Sequence, residues 1–219
     1  MSKARTARKR IDGVATRARI LEIAGQRFAD AGFAQTASKE IAALAEVDLA
    51  SINYHFGDRA GLYQAVLAEA HRRIADLHDI ERLMASALPA PEKLCELIRF
   101  LLGGVGGQVS WPVIVLGREI LSPSSHLQVL QQQEILPKLQ AILPMLSEIT
   151  LIPVDDPVLL RCLPCIAAPC AMIALLGRSG TELGERIHHA ATEDLIGQLH
   201  AYALGGLAAV RERYRGAGR

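Results

Sequence analysis

The sequence predicts an all-α protein, and three observations support this prediction. Leu and Ala dominate a composition in which 50% of the residues are hydrophobic but only 4% are aromatic. Apolar residues recur at helical spacing along most of the chain, and few segments alternate in the way that half-buried strands do. Gly and Pro separate the periodic segments and predict the loops between helices. A chain of 219 residues can bury a substantial core in one or two domains.

The first two helices are predicted from their caps and their apolar spacing. Residues 16–31 form a helix that starts at Thr16 as the N-cap and ends at Gly32. The apolar stripe of this helix falls at i, i+3, i+4 and i+8: Ile20, Ile23, Ala24 and Phe28. A second helix is predicted over residues 36–45, with the hydroxyl of Thr36 as its cap.

The next two helices follow from two aspartates that precede apolar segments. Asp48 is a good N-cap for a helix over residues 49–56, and Asp58 for a helix over residues 59–77. Later helices are predicted over 92–102, 112–121, 125–147, 156–176 and 192–215. Pro137 and Pro144 lie inside the 125–147 segment and should kink or divide it.

Residues 36–59 predict a helix-turn-helix, because two short helices are joined by a tight turn at Glu46 and Val47. The second helix carries small, polar and aromatic residues: Ala50, Ser51, Asn53, Tyr54 and His55. A helix in the major groove needs small residues and donors that reach phosphates and base edges. Tyr54 or His55 alone could be a capping or core side chain, but their clustering favours DNA binding.

Basic residues are concentrated at the N-terminus, beside this motif. Residues 1–19 contain seven Lys or Arg and one Asp, a net charge of +6, so the remaining 200 residues carry −5 within a total of +1. A solvated disordered tail is one explanation of such a run. Its position next to the helix-turn-helix favours contact with a phosphate backbone at one end of the protein. We therefore predict a basic flexible arm (1–15), a helix-turn-helix domain (16–58) and a larger helical domain (59–219).

The N-terminal segment resembles the TetR family of transcriptional regulators. The resemblance is carried by residues 17–21, 28–33, Thr36, 41–42, Val47, 52–56, Arg59 and 62–63. Members are all-helical dimers with an N-terminal three-helix DNA-binding domain and a larger domain for ligand binding and dimerisation. The resemblance implies a cytoplasmic homodimeric transcriptional regulator. Such a protein would be a repressor that a small apolar or amphipathic effector releases from a palindromic operator in double-stranded DNA.

The resemblance also implies the DNA contacts by position. Thr36 and His55 would contact phosphates, Arg59 would clamp the backbone, and the remaining contacts would come from Lys39, Ala50, Ser51, Asn53 and Tyr54. Three residues depart from the family pattern. Glu46 stands where Gly is usual, which predicts a slightly altered turn, and Asp48 and Leu49 replace a hydroxyl residue and Lys. These changes weaken non-specific affinity, for which the basic arm can compensate.

The C-terminal domain offers weaker signals. Residues 118–123 and 136–137 resemble a subgroup with a CerR- or CecR-type C-terminal domain. A pocket between helices is expected to be apolar with a few polar groups, and six residues are candidates to line it: Trp111, Arg118, Glu119, His126, Met145 and Met172. Arg118 would suit an anionic effector and Glu119 a cationic one, or the two side chains pair with each other.

Other functions find less support in the sequence. Cys162 and Cys165 have the spacing of a redox or metal pair, but their apolar neighbours predict buried, inert thiols and no metal site. No catalytic motif and no cofactor motif is present, so an enzyme is not expected. No apolar run approaches the ~18 residues of a membrane span, and no signal peptide is evident. The alternative is a small-molecule-binding or thiol redox-sensing helical protein that does not use DNA.

Overall fold

The computed structural model describes residues 2–103, 111–176, 181–188 and 191–218, which contain helices and no strand. The helices are α1 (Ser2–Ala31), α2 (Ser38–Leu44), α3 (Leu49–Phe56), α4 (Arg59–Ile74), α5 (Leu77–Met84), α6 (Ala90–Gly103), α7 (Trp111–Leu121), α8 (His126–Leu130), a π-helix π1 (Gln131–Ile135), α9 (Leu136–Thr150), α10 (Pro157–Leu176), α11 (Glu182–His188) and α12 (Thr192–Gly216). The predicted all-α fold class is confirmed. None of the helices described is both long and apolar enough to cross a lipid bilayer.

Local capping interactions set several helix ends where the sequence predicted them. The carboxylate of Asp48 accepts a hydrogen bond from the Ser51 N–H at 2.7 Å and starts α3. Asp58 accepts one from the Gly61 N–H at 2.7 Å and starts α4. Gly32 has a φ of +83° and ends α1, as its predicted C′ position requires.

Other helix boundaries differ from the predictions. Helix α1 begins at Ser2 and not at Thr16, because the Ala-, Arg- and Lys-rich N-terminal residues favour a helix and contain no Pro. Helix α2 begins at Ser38 behind Ala37, without a side-chain cap. The predicted fourth helix ends early at Ala75, whose backbone is extended, and Asp76 then caps the unpredicted α5. Helix α11 was also not predicted.

Pro137 divides the long helix predicted over residues 125–147. Proline has no N–H, and in an α-helix its ring would clash with the carbonyl of Gln133, four residues earlier. The chain widens into π1 just before this proline, and the Leu136 N–H bonds the Gln131 carbonyl five residues back. Pro144 remains inside α9 and does not divide the helix.

Two hydrophobic cores organise the described residues. The first joins α1–α4 with α7 and α8, and its fully buried side chains include Phe28, Ile52 and Leu67. The second joins α5, α6, α9, α10 and α12 around residues such as Leu94 and Leu146. The N-terminal helices are therefore packed on α7 through a continuous apolar core.

Candidate nucleic-acid interface

One face of α3 is buried in the first core and the other is exposed. Ile52 is 0% exposed and anchors the helix. Ala50, Asn53 and Tyr54 are exposed, with Tyr54 at 86%, and their i, i+3, i+4 spacing puts them on one face. This face presents a methyl group, an amide and a phenol to solvent, as the sequence predicted.

The start of α3 is a closed capping arrangement. The Ser51 hydroxyl and N–H both donate to Asp48 Oδ1, at 2.5 and 2.7 Å. These hydrogen bonds hold the pKa of Asp48 below its usual value, so the carboxylate is ionised and engaged. Ser51 is half-buried, and its hydroxyl hydrogen is used here instead of being aimed at a base.

One residue of the turn before α3 has a left-handed backbone conformation. Glu46 has a φ of +51°, which lies in the region that favours glycine. The Val47 N–H reaches the Ala42 carbonyl at 3.0 Å and closes the turn. Glutamate therefore adopts the conformation that suits glycine here, at a steric cost of about 1–2 kcal/mol.

Aromatic and cationic groups lie at the C-terminal end of α3. The rings of Tyr54 and His55 meet edge to face, with centroids 5.0 Å apart. The guanidinium of Arg17 on α1 lies 5.2 Å from the centre of the Phe56 ring. Arg17 is exposed beside α3. The sequence placed it in the basic run and in the family resemblance, but not among the DNA contacts. Its role as a neighbour of α3 depends on how α1 packs.

Three other residues of the implied DNA-contacting set lie outside α3. Lys39 is exposed on α2. Thr36 is 1% exposed, and its hydroxyl donates to the carbonyls of Gly32 and Arg27 at 2.8 and 3.3 Å. Arg59 donates to the Phe33 carbonyl and lies over the Phe33 ring at 4.3 Å. Thr36 and Arg59 thus hold the loop after α1. The helix cap predicted at Thr36 is wrong, because α2 begins behind Ala37 without a side-chain cap.

The six residues considered for an effector pocket do not converge on one cavity. Met145 is buried in the second core and Met172 is 54% exposed on α10. The other four lie where α7 and α8 meet the N-terminal helices: Trp111, Arg118, Glu119 and His126.

Trp111 fits against α1 because residue 25 is glycine, where a Cβ would lie 2.4 Å from the indole ring. The indole N–H of Trp111 donates to Glu22 at 3.0 Å. Arg118 donates to the Asp30 carbonyl at 3.0 Å, so it does not pair with Glu119 in the way the sequence allowed. These contacts connect α7 to α1.

A buried polar cluster joins α4 to α7 and α8. The Tyr63 hydroxyl donates to Glu119 Oε2 at 2.8 Å, and the N–H and hydroxyl of Ser124 donate to Glu119 Oε1 at 2.9 and 2.7 Å. Burial, and then the hydrogen bond to Glu119, raise the pKa of Tyr63. The His126 ring packs edge-on against Phe33 and Tyr63. We call this group the junction cluster (Phe33, Tyr63, Glu119, Ser124 and His126).

A second polar group fixes the other end of α4 to π1 and α9. Arg72 contacts Glu134 at 2.6 Å, Glu134 contacts Lys138 at 3.2 Å, and the Lys138 ammonium lies 2.7 Å from His71 Nδ1. Burial lowers the pKa of Lys138. Burial and the neighbouring Lys138 lower the pKa of His71 to about 4. Sequence reasoning missed this group because the π-helix turns Glu134 inward.

A groove of about 1050 Å³ runs between α10 and α12. Its lining includes Cys162, Cys165, Gly205, Gly206 and Leu207. The prediction of a buried thiol is confirmed for Cys162, and Cys170 is buried as well. Burial raises the pKa of both thiols, that of Cys170 to about 11. The prediction is wrong for Cys165, which is exposed in the groove. The burial of Cys162, which raises its thiol pKa, argues against a reactive Cys162–Cys165 pair.

Comparison with known proteins agrees with the helix-turn-helix geometry. Residues 20–66 match the family model of the bacterial regulatory proteins, tetR family. No curated protein sequence matches the chain.

Solved structures share the fold along most of the chain. The fatty acid degradation regulator FadR from Bacillus halodurans is 18% identical with a TM-score of 0.66, covering 86% of this chain and 97% of that one. A TetR-family transcriptional regulator from Mesorhizobium loti is 16% identical with a TM-score of 0.62, covering 90% and 97%. PfmR from Thermus thermophilus is 16% identical with a TM-score of 0.62, covering 85% and 97%.

The matched segment extends from Ile20 in α1 to Val66 in α4, and it includes α2, the turn at Glu46 and all of α3. The exposed face of α3 thus lies on the element that the family uses to bind DNA. The chain therefore carries an N-terminal segment that matches the tetR family model, and it shares its fold along most of its length with solved TetR-family regulators.

Proposed function

We propose that the protein is a homodimeric repressor that binds a palindromic operator through α3 and leaves it when a small apolar or amphipathic effector binds. The observation that carries the proposal is the exposed face of α3, where the side chains of Ala50, Asn53 and Tyr54 lie at the surface and are not buried in a hydrophobic core. Ile52 fixes this face to a rigid module, and rigid placement is what base readout requires.

Electrostatics support the same docking direction. Arg17 and Lys39 are exposed on α1 and α2, close in the chain to the helix-turn-helix. The basic residues before Arg17 extend the positive charge at this end of the protein, whereas the rest of the chain is acidic. Association with a phosphate backbone would release counterions and would therefore weaken steeply with salt.

The groove between α10 and α12 supports dimerisation. Large apolar side chains remain exposed on these two helices: Leu160, Met172 and Tyr202. Gly205 and Gly206 leave the backbone of α12 open to close approach by another helix. To match the half-sites of a palindrome, a two-fold dimer would have to hold its two α3 helices about 34–36 Å apart, or at a multiple of that spacing.

Helix α4 is the proposed lever between effector and DNA. Its first residue, Arg59, holds the loop after α1, and Tyr63 joins the junction cluster. Its last turn is tied to π1 and α9 through Arg72 and His71. An effector that displaces α7, π1 or α9 would shift α4 and change the spacing of the two α3 helices. A differential affinity of about 1–3 kcal/mol would suffice for such coupling.

The effector is proposed to enter the C-terminal domain, between helices of the second core. The apolar character of that core, and the description of FadR as a fatty acid degradation regulator, suit an apolar or amphipathic compound. Hydrophobic compounds that raise the melting temperature should be screened for operator release. Ligands that stabilise the protein but never change its DNA affinity would contradict the lever.

DNA binding is tested with the promoter region next to the protein's own gene. In a gel-shift assay the wild type should retain this DNA, and Asn53→Ala, Tyr54→Ala and His55→Ala should each lose it without unfolding. Gln128→Ala is the matched control for Asn53→Ala, because it removes an exposed amide from α8, which is not part of the helix-turn-helix. Unchanged affinity in all three α3 variants would refute the proposed interface.

The basic segment is tested by removing residues 1–15. This deletion takes away five Lys or Arg, so affinity should fall and the dependence of log Kd on log salt should become shallower. An identical slope before and after the deletion would show that the basic segment does not contact DNA.

A further inference from the structure

We infer that α3 reads A·T base pairs, with Leu49 and Ala50 against thymine methyl groups and Asn53 hydrogen-bonded to adenine. The inference rests on the proposed operator binding and specifies the chemistry of the half-site. It follows from which side chains of α3 are exposed, which are engaged inside the protein, and which kinds of side chain the helix lacks.

Guanine has no strong reader on this helix. The sequence of α3 is LASINYHF and contains neither Lys nor Arg. Bidentate contacts from Arg or Lys to guanine O6 and N7 are the commonest specific contacts in the major groove. Leu49 is exposed at the first position of α3, where a cationic side chain would otherwise be able to make such a contact.

Cytosine has no acidic reader on this helix either, because the sequence of α3 contains no Asp or Glu. A carboxylate can accept a hydrogen bond from cytosine N4. The carboxylate of Asp48 caps the start of α3, and its Oδ1 already accepts from the N–H and the hydroxyl of Ser51. The cap therefore engages one oxygen of Asp48 and the hydroxyl hydrogen of Ser51.

The exposed side chains that remain match the edges of an A·T pair. Leu49 is 37% exposed and Ala50 is exposed, so both offer methyl groups at the N-terminal end of α3. The thymine C5-methyl is the apolar group that bases present in the major groove, and covering it against Leu49 or Ala50 removes apolar surface from water. Asn53 is exposed, and its amide can donate to adenine N7 and accept from adenine N6.

Helical spacing makes these contacts neighbours. Asn53 follows Leu49 by four residues and Ala50 by three, so its amide lies on the same side of α3 as both apolar side chains. One adenine and one thymine methyl can then be read in the same base pair or in adjacent pairs. Tyr54, at 86% exposure, and His55 flank this reading surface and are suited to the phosphate backbone.

The first experiment selects duplexes from a pool with randomised half-sites, using the full-length protein. We expect A·T pairs at the core of both selected half-sites. Each selected core thymine is then replaced by deoxyuridine, which lacks only the C5-methyl. At a thymine covered by Leu49 or Ala50, this replacement should weaken binding about fourfold, as expected for one buried methyl group.

A mutant cycle assigns the contacts. Leu49→Ala should abolish the deoxyuridine penalty at the thymine that Leu49 covers. Asn53→Ala should reduce the preference for adenine at one position by about fivefold to 150-fold. Leu88→Ala is the matched control, because Leu88 has nearly the same exposure, 39%, in the loop before α6. This control should show the same losses of affinity as the wild type for every substituted duplex. All three variants should have the melting temperature of the wild type.

The outcomes separate this inference from the proposed function. Enrichment of G·C pairs at the core, or deoxyuridine duplexes that bind as tightly as thymine duplexes at every core position, would overturn the A·T inference while leaving operator binding intact. No enrichment of any duplex would overturn operator binding itself, and the inference with it.

Discussion

The exposed faces of α3 and of the α10–α12 groove are both helical, but they differ in chemistry. The α3 face offers an amide, a phenol and single methyl groups, with cationic side chains close by on α1 and α2. The groove is lined by Cys, Ile, Leu, Val and small residues, with Gly205 and Gly206 on α12. A polar face is suited to reversible binding of a hydrated, charged partner such as DNA. A large exposed apolar surface is suited to binding another protein chain.

The two faces also rest on different cores. Ile52 anchors α3 in the first core, and Leu207 and Cys162 anchor the groove in the second. Between them lie the junction cluster and the contacts from Arg72 and His71 to Glu134 and Lys138. One face can therefore influence the other through these polar contacts on α4, and also through the apolar packing of α7 against α1, α4 and α10.

The largest effect is expected in the groove, from Gly206→Glu. A Cβ at this position meets nothing within 4 Å in the single chain, so the substitution should leave the protomer folded and slightly favour α12. In a dimer it would bury an unpaired carboxylate, and the dissociation constant should rise at least about 100-fold. Sedimentation equilibrium measures the change.

Gly197→Glu is the control for this substitution. Gly197 lies on the same helix and is equally open, but it does not line the groove. A Gly206→Glu protein that dimerises as tightly as the Gly197→Glu protein would show that the groove is not the dimer surface.

The junction is tested by Glu119→Ala. Removal of this carboxylate leaves the buried Tyr63 hydroxyl and the Ser124 donors without an acceptor, so the free energy of unfolding should fall by about 3 kcal/mol. Glu119→Gln keeps one acceptor oxygen and should cost less. Urea unfolding gives the values, with Glu148→Ala as the control for an exposed carboxylate on α9. Equal stabilities of the Glu119→Ala and Glu148→Ala proteins would refute a structural role for the cluster.

The contact between α4 and α9 predicts a pH dependence of stability. The pKa of His71 is about 4 when folded, below its ordinary 6.5, because burial and Lys138 disfavour the imidazolium. Between these values the unfolded chain binds more protons than the folded one, so stability is complete above pH 6.5 and is lost as the pH falls towards 4. In the His71→Gln protein the melting temperature should depend less on pH over this range. His78→Gln, on the exposed side of α5, should leave the pH dependence unchanged. Parallel curves for the wild type and His71→Gln would contradict the assignment.

The smallest effect is expected at the turn before α3. Glu46→Gly should relieve the left-handed strain of about 1–2 kcal/mol, partly offset by the greater freedom of glycine in the unfolded chain. A net gain of about 0.5–1 kcal/mol in the free energy of unfolding should result. Glu46→Ala keeps the Cβ, so it should not relieve the strain and should not raise the free energy of unfolding in this way. Equal stabilisation by Gly and Ala would show that the φ of +51° carries no strain.

The sequence by itself determined the helices whose signals are local. Helix α3 begins and ends where Asp48 and Gly57 predict, since an N-cap acts across three residues and a left-handed glycine acts on its own backbone. The exposed positions of Ala50, Asn53 and Tyr54 follow from the burial of Ile52 and the helical repeat. Apolar periodicity likewise predicted α7, α10 and α12 with small errors at their ends.

Only the tertiary structure decided what distant residues do to one another. Tyr63 and Glu119 are 56 residues apart, and Arg72 and Glu134 are 62 apart, so no local pattern pairs them. The burial of Thr36 and the inward turn of Arg59 depend on the loop after α1, and the α10–α12 groove depends on how two helices pack. Capping and helical periodicity are short-range interactions between chain neighbours, whereas these contacts form only when the whole fold has brought separate helices together.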